Sequence, residues 1–464
     1  ARAIVVAIGL VLVVAVVVPP RGSKDIWSYT MYGRTVAVHH ANPYVRVPAD
    51  YPADPFVARV DSSWLGRGSV YGPVFVAVAA GGAFVAGDSP LAARLFFQVF
   101  AAAALAGILV IIWRRSRSPA MLAWLGLNPL VASSLVNGGH NDLLVGLLLV
   151  TAVGLVATTA GAGLARLSWT RAPWTIGFLI GLAVLVKFTA ALALLGLVLW
   201  LWRQGRRRFA ISAAATTGLV VTIGYLPVLV GALRVLGTSN RTVTGGSAWR
   251  PVTQLLLGRG FANALPRLTA PGTTATVVFY ASAATVVLLA VTLGQRAAGS
   301  RRPEPAVATA VASYTVAAEY TYPWYAGWAL PLCGLGGLDA VAWVVWVQSI
   351  VMLGAAGVGA HAGGVAAHWT RSFFTEVAPF ALVVAFVLAV VHESKQHARG
   401  SRVSSVVEPQ PARFVAPCAM RRPAAPRVSS STARTGFPAP GVTRSLDPAL
   451  VGAEDEALVH RVLE

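Results

Sequence analysis

Two short polar clusters interrupt an apolar chain: Lys24-Asp25-Ile26-Trp27-Ser28-Tyr29 and Asn137-Gly138-Gly139-His140-Asn141-Asp142. Asp25 lies seven residues beyond an apolar run that ends at Val18, which places it at a membrane surface if that run spans. A carboxylate held there and partly desolvated can take a proton from a sugar hydroxyl. The competing reading is a solvated loop aspartate paired with Lys24 or Arg21, and position alone favours it. The 137–142 cluster sits between two apolar runs with no room for a long loop. Polar groups so near hydrocarbon are expensive and by default functional. Gly138 and Gly139 permit positive backbone angles and a close approach of ligand to chain. Asp142 suits sugar binding and the N-cap of the helix starting at Leu143 equally well.

Lys187 is the one Lys within an apolar segment. An unpaired ammonium there costs about 3 kcal/mol, so it should face a polar cavity, where a phosphate on a lipid carrier would suit it. Snorkelling to the interface is the alternative. The segment 234–272 carries five arginines and no acid, and around Arg241 and Arg250 it would concentrate anions, selectively or as lipid headgroups. Glu319 to Trp328 holds five aromatics, among them Trp324 and Tyr325, with Glu319 as a second carboxylate. Composition favours a membrane belt slightly over sugar stacking. The adjacent pair His39-His40 is a weak metal candidate, and the two distant cysteines form no zinc or disulfide pattern.

These residues need elements to hold them, and the composition says which. With 56% hydrophobic residues, 12% charged and a net charge of +20, the chain is no ordinary soluble enzyme. The basic residues punctuate apolar runs instead of forming one basic face, which excludes nucleic acid as a partner and predicts an all-α polytopic membrane protein. Twelve of them (Arg114, Arg115, Arg117, Arg166, Arg171, Arg203, Arg206, Arg207, Arg208, Arg296, Arg301, Arg302) mark cytoplasmic ends by the positive-inside rule. That rule makes Gly72–Gly87 a re-entrant helix before one span, Leu91–Trp113, and makes Thr175–Trp202 a hairpin of short helices with Lys187 near its apex. Ala3–Val18 reads as a first membrane helix, and Ala120–Leu135 as one span. Ile26–His39 reads as a helix lying along the interface, anchored by Trp27, Tyr29 and Tyr32. The expected whole is a bundle of about 10–12 membrane helices, short and re-entrant ones included, with a large first extracytoplasmic loop. Residues 1–394 form the membrane domain, and 395–464, rich in Ser, Pro, Ala and Arg, a disordered cytoplasmic tail.

In their order and spacing these motifs resemble the glycosyltransferase C superfamily, and more narrowly its actinobacterial polyprenol-phosphate-mannose-dependent α-mannosyltransferases. The resemblance rests on Asp25 after the first helix, Tyr29, Gly33-Arg34, Asn42-Pro43-Tyr44, Val70-Tyr71-Gly72-Pro73, Gly138-Gly139-His140-Asn141-Asp142, Lys187, and Pro323-Trp324-Tyr325 with Trp328. It implies a glycosyltransferase C-like bundle in the cell (plasma) membrane with an extracytoplasmic site. Mannose would pass, with inversion, from a polyprenyl-phosphate donor to a cell-envelope glycolipid or glycan acceptor. Asp25 would be the general base, and Tyr29, Arg34, Tyr71, His140, Asn141, Asp142, Glu319, Trp324 and Tyr325 would bind substrate. Lys187, Arg241 and Arg250 would hold the lipid phosphate, and no cofactor or metal is implied. The alternative is a polytopic transporter or lipid-linked-glycan flippase, which would concentrate polar groups near mid-membrane on broken helices. Here the candidates cluster at the outer ends of spans.

Overall fold

Long apolar runs become helices because a backbone in hydrocarbon must satisfy its own N–H and C=O groups. The computed structural model describes residues 1–20, 22–161, 172–238, 242–258, 268–357 and 365–406, and contains no strand among them. The chain opens with α1 (Arg2–Val17), α2 (Asp25–Ala37), the single turn α3 (Ser62–Leu65), α4 (Pro73–Ala86), α5 (Pro90–Ser116) and α6 (Pro119–Gly126). The middle comprises α7 (Asp142–Gly161), α8 (Ala172–Val186), α9 (Ala191–Arg203), α10 (Arg207–Tyr225) and α11 (Leu229–Thr238). There follow α12 (Arg250–Leu256), α13 (Pro271–Ala297), α14 (Glu304–Ala317), α15 (Ala326–Gly336), α16 (Ala340–Gly357), α17 (Val365–Ser372) and α18 (Ala378–Val406). Among the described residues five segments are long and apolar enough to cross a membrane: Pro90–Ser116, Arg207–Val235, Pro271–Ala297, Ala340–Gly357 and Ala367–Ala398. Several starts are written locally. Proline occupies the first turn of α4, α5, α6 and α13, where its missing N–H costs nothing. Ser89 and Ser118 also accept an amide of the first turn through their hydroxyls.

Small residues let the helices touch. In lipid no hydrophobic force draws helices together, so close backbone packing must do so. A Cβ on Gly33 of α2 would lie 2.1 Å from the Ala79 carbonyl of α4, and one on Gly146 of α7 would lie 2.3 Å from the Gly327 carbonyl of α15. Gly33→Ala should therefore push α2 off α4 at a cost of about 1–3 kcal/mol. The detergent-purified variant should melt several degrees lower, whereas Gly81→Ala, which meets nothing within 4 Å, should not. Equal melting of the two variants would contradict the close crossing.

That crossing corrects the expectation for 26–39. The helix does not lie along the interface with three aromatic anchors. Tyr29 and Tyr32 are buried in the main core, and only Trp27 keeps partial exposure. Arg34 is buried too, clamped by Asp54 at 2.8 Å, Asp88 at 2.9 Å and the Gly87 carbonyl, with the Phe56 ring beneath it. Asp54 also meets His39, which stacks on Tyr51, so His39 is held as a hydrogen-bonding side chain of the first loop. Burial of Asp54 opposes its charge, yet hydrogen bonds from Arg34, the Phe56 amide and His39 outweigh that and hold its carboxyl below the usual range.

The hairpin around Lys187 is present. Gly177 packs on Ala213 and Thr216, Gly181 on Thr217 and Val220, and Leu185 on Gly224, so α8 and α10 run in the same direction. The chain must reverse between them, and it does so at Lys187, where α8 stops before a single tight turn, Phe188–Ala190, leads into α9. Ala120–Leu135 is not one span. Pro129 supplies no N–H, and Asn128 caps the restart by accepting from the Leu130 and Val131 amides while donating to Ser349 at 2.8 Å. Helix α18 runs on past Lys395 to Val406, beyond the expected start of the tail, whose residues from 407 onward lie outside the described residues.

Basic ends gather at one end of the bundle. Arg115 pairs with Glu304 at 3.2 Å, Arg203 donates to the Gln295 carbonyl, and Gln204 donates to the Ser300 carbonyl. Arg166 and Arg171 lie outside the described residues. Lys187 is at the other end of α9, about 20 Å away along that helix.

Candidate functional site

Asp25 opens α2, with its own amide bonded to Ser23 at 3.1 Å and its side chain 13% exposed. Tyr29 follows one helical turn later and is therefore on the same face. Its hydroxyl lies 3.1 Å from Nδ1 of His140, and the same nitrogen is 3.8 Å from the Asp25 carboxylate. Both glycines before His140 are required. Gly139 has φ +59°, and a Cβ on Gly138 would collide with the Ser134 carbonyl at 2.2 Å and with the His140 ring. Burial raises Asp25 to about 6, although the Lys187 charge pulls the other way. Burial, reinforced by Lys187, holds His140 well below the usual imidazole range. His140 is thus neutral near pH 7, and its approach to Asp25 is a contact between a carboxylate and a neutral ring.

Lys187 is paired. Its ammonium lies 2.8 Å from Asp142, which also accepts from the Trp328 indole at 2.6 Å. It sits 4.2 Å from the Tyr325 ring, 5.1 Å from Trp328 and 5.8 Å from Tyr71, so aromatic faces share the charge. Tyr71 in turn meets Tyr29 edge-on at 5.0 Å, which joins the two halves of the cluster. Asp142 directs its side chain to these partners and opens α7 at the same time. Four buried polar atoms on three consecutive residues have no partner among the described residues: Nε2 of His140, both amide atoms of Asn141 and one oxygen of Asp142. Such atoms are normally satisfied, so they mark where a polar ligand or water belongs.

Trp324 is placed differently from a free sugar platform. His140 stacks on it at 4.1 Å and Tyr322 at 4.5 Å, so two rings already share the indole. It fixes the plane of His140. Arg34 lies about 13 Å along α2 from Asp25 and is engaged with Asp54 and Asp88, so it is not brought into the cluster. Glu319 is held by Ser282 and is not joined to Asp25 or His140 by any contact among the described residues. Arg250 begins α12, in a segment that docks on residues 317–321 through Thr244, Ser247 and Trp249, and its buried Nε has no partner among the described residues. Arg241 lies outside the described residues. Sequence reasoning assigned no partner to Trp328 and passed over Gln98, although a lone amide inside Leu91–Trp113 was a visible signal. Among the described residues no three His, Cys, Asp or Glu side chains are arranged to hold a metal ion.

Helices of this length and apolarity, with a carboxylate, an imidazole and a paired ammonium collected away from the basic helix ends, are the make-up of a multi-pass membrane protein. Residues 1–204 match the family described as "Alpha-(1->6)-mannopyranosyltransferase, N-terminal domain". The chain is 29% identical over 336 residues to alpha-(1->6)-mannopyranosyltransferase A of Mycobacterium tuberculosis, covering 67% of this chain and 61% of that protein. It is 30% identical over 241 residues to alpha-(1->6)-mannopyranosyltransferase B of Corynebacterium glutamicum, covering 49% of this chain and 39% of that protein. Over its first 204 residues the chain is thus similar to the alpha-(1->6)-mannopyranosyltransferase family, and it spans less than two thirds of the length of these relatives. No solved structure matches it.

Proposed function

We propose that this protein transfers mannose from a polyprenyl-phosphate carrier to a glycolipid or glycan acceptor, with Asp25 as general base. The acceptor hydroxyl gives its proton to Asp25, its oxygen bonds to the anomeric carbon, and the bond from that carbon to the phosphate oxygen breaks with inversion. Polyprenyl phosphate leaves. The observation that carries this reading is the set of unpartnered polar atoms on His140, Asn141 and Asp142, which the hydroxyls of a sugar match in donor and acceptor character. Tyr71 and Tyr325 flank that sugar. Lys187, which spends one of its three N–H donors on Asp142, holds the phosphate together with Arg241 and Arg250. The positive-inside rule places the basic helix ends in the cytoplasm and the Asp25 end outside, in the cell membrane, with the C-terminus cytoplasmic. Residues 407–464 are the cytoplasmic tail.

Membranes containing the protein, incubated with radiolabelled polyprenyl-phosphate-mannose and a mannan acceptor, should form labelled product. Because Asp25 must be ionised to accept a proton, kcat/KM should fall below pH 6 with an acid limb at about 6. Absence of product, or a rate flat between pH 5 and 7 (a span of about one pH unit on either side of that limb), would overturn the reading.

A further inference from the structure

Gln98 lies in α5 and is fully buried. Its amide nitrogen is 3.1 Å from the Ala15 carbonyl, 3.1 Å from the Val18 carbonyl and 2.9 Å from the Asn137 carbonyl. The side-chain amide of Asn137 reaches the same two α1 carbonyls at 3.0 and 2.7 Å, and Arg94 adds a bond to the Val17 carbonyl at 3.1 Å. These are end-of-helix carbonyls that no further turn can satisfy. Two amides from separate elements therefore tie one helix end to the start of the 137–142 segment.

Both segments leading into the site leave from this knot. Val18 is seven residues before Asp25, and Asn137 is three before His140. The two side chains then meet across 3.8 Å. We infer that Gln98 and Asn137 are positioning residues, setting the separation of Asp25 and His140 without touching substrate themselves. This rests on the reading of Asp25 as the base. The linker between Val18 and Asp25 contains Pro19, Pro20 and Gly22 and, among its described residues, no helical turn, so it has few internal bonds with which to hold Asp25 in place. A knot at its root supplies what the linker lacks. A buried amide in hydrocarbon is costly unless its bonds are made; the Gln98 NH2 makes its bonds to the two segments that carry the reacting groups, while its Oε1 has no partner among the described residues.

The test compares Gln98→Leu, Asn137→Ala, the double variant and Asp25→Asn in full-length protein reconstituted in liposomes, at matched folded amounts. Gln98→Leu should lower kcat by about tenfold or more while leaving the KM for the lipid donor unchanged, because a displacement of about 1 Å is enough to cost that much. The acid limb should also move, since Asp25 would meet more solvent. The double variant should be no slower than the slower single one, because both amides hold the same carbonyls. If Gln98→Leu fails to accumulate, Asn137→Ala, whose amide is partly exposed, carries the same readouts. Normal kcat and an unmoved acid limb in both single variants, with Asp25→Asn inactive, would overturn the clamp alone. Turnover by Asp25→Asn would overturn both the base and the clamp.

Discussion

Asp25→Asn should abolish mannosyl transfer while the protein still inserts and extracts from membranes like the unaltered chain. Asparagine preserves the size of the side chain and cannot accept the acceptor's proton at any working pH. General-base removal costs about 10²–10⁴ in rate, and here the environment amplifies it. Burial already holds Asp25 near 6, so the carboxylate is a better base than one in water, and neutral His140 at 3.8 Å does not quench it. Among the described residues the Asp25 carboxylate makes no ion pair shorter than the 3.8 Å approach to His140, and α2 is held by Gly33, Tyr29 and Arg34. Activity is read in proteoliposomes with labelled lipid donor, and folding by melting in detergent. Turnover within about tenfold of the unaltered protein would remove Asp25 from the base role.

Asp142→Ala should be the most damaging change to the folded state. It leaves the Lys187 ammonium without its 2.8 Å partner and the Trp328 indole without an acceptor. Breaking one side of a buried pair costs about 3–5 kcal/mol, because the remaining charge is stranded. Replacing both sides by apolar residues of similar size is commonly neutral, so Asp142→Leu with Lys187→Met should melt close to the unaltered protein. Transfer should not return with it, because the phosphate would have lost Lys187 and the sugar Asp142. Full activity of that double variant would show the pair to be purely structural. Continued instability would show that the aromatic cage of Tyr71, Tyr325 and Trp328 requires the ammonium itself.

Much of this site was legible because membrane chemistry makes polar residues conspicuous. Asp25, the 137–142 cluster, Lys187 and the 320–328 aromatics stood out by type and position, and the fold brings them together. Arg34 and Glu319 stood out equally, yet one is consumed by Asp54 and Asp88 and the other by Ser282. Trp324 stood out as a surface for a sugar, and the fold stacks His140 and Tyr322 on it. Nothing in a run of letters says which partner reaches a side chain first. Tyr29 and Tyr32 were assigned to the interface for the same reason: an amphipathic aromatic reads alike whether it meets lipid or α4.

By itself the sequence determined that this chain is helical and apolar, where most helices begin, and that a few polar groups must share a protected place. Those conclusions follow from local costs: the price of an exposed amide in hydrocarbon, of a proline inside a helix, of an unpaired ammonium. The tertiary structure alone decided that Lys187 pairs with Asp142, that His140 is clamped between Tyr29 and Trp324, and that Gln98 ties α1 to the 137–142 segment. Each of these joins residues distant in the chain, from 39 positions apart for Gln98 and Asn137 to 184 for His140 and Trp324. Which helix faces which is set by where small residues such as Gly33 and Gly146 let backbones meet, and that is a property of the packed bundle.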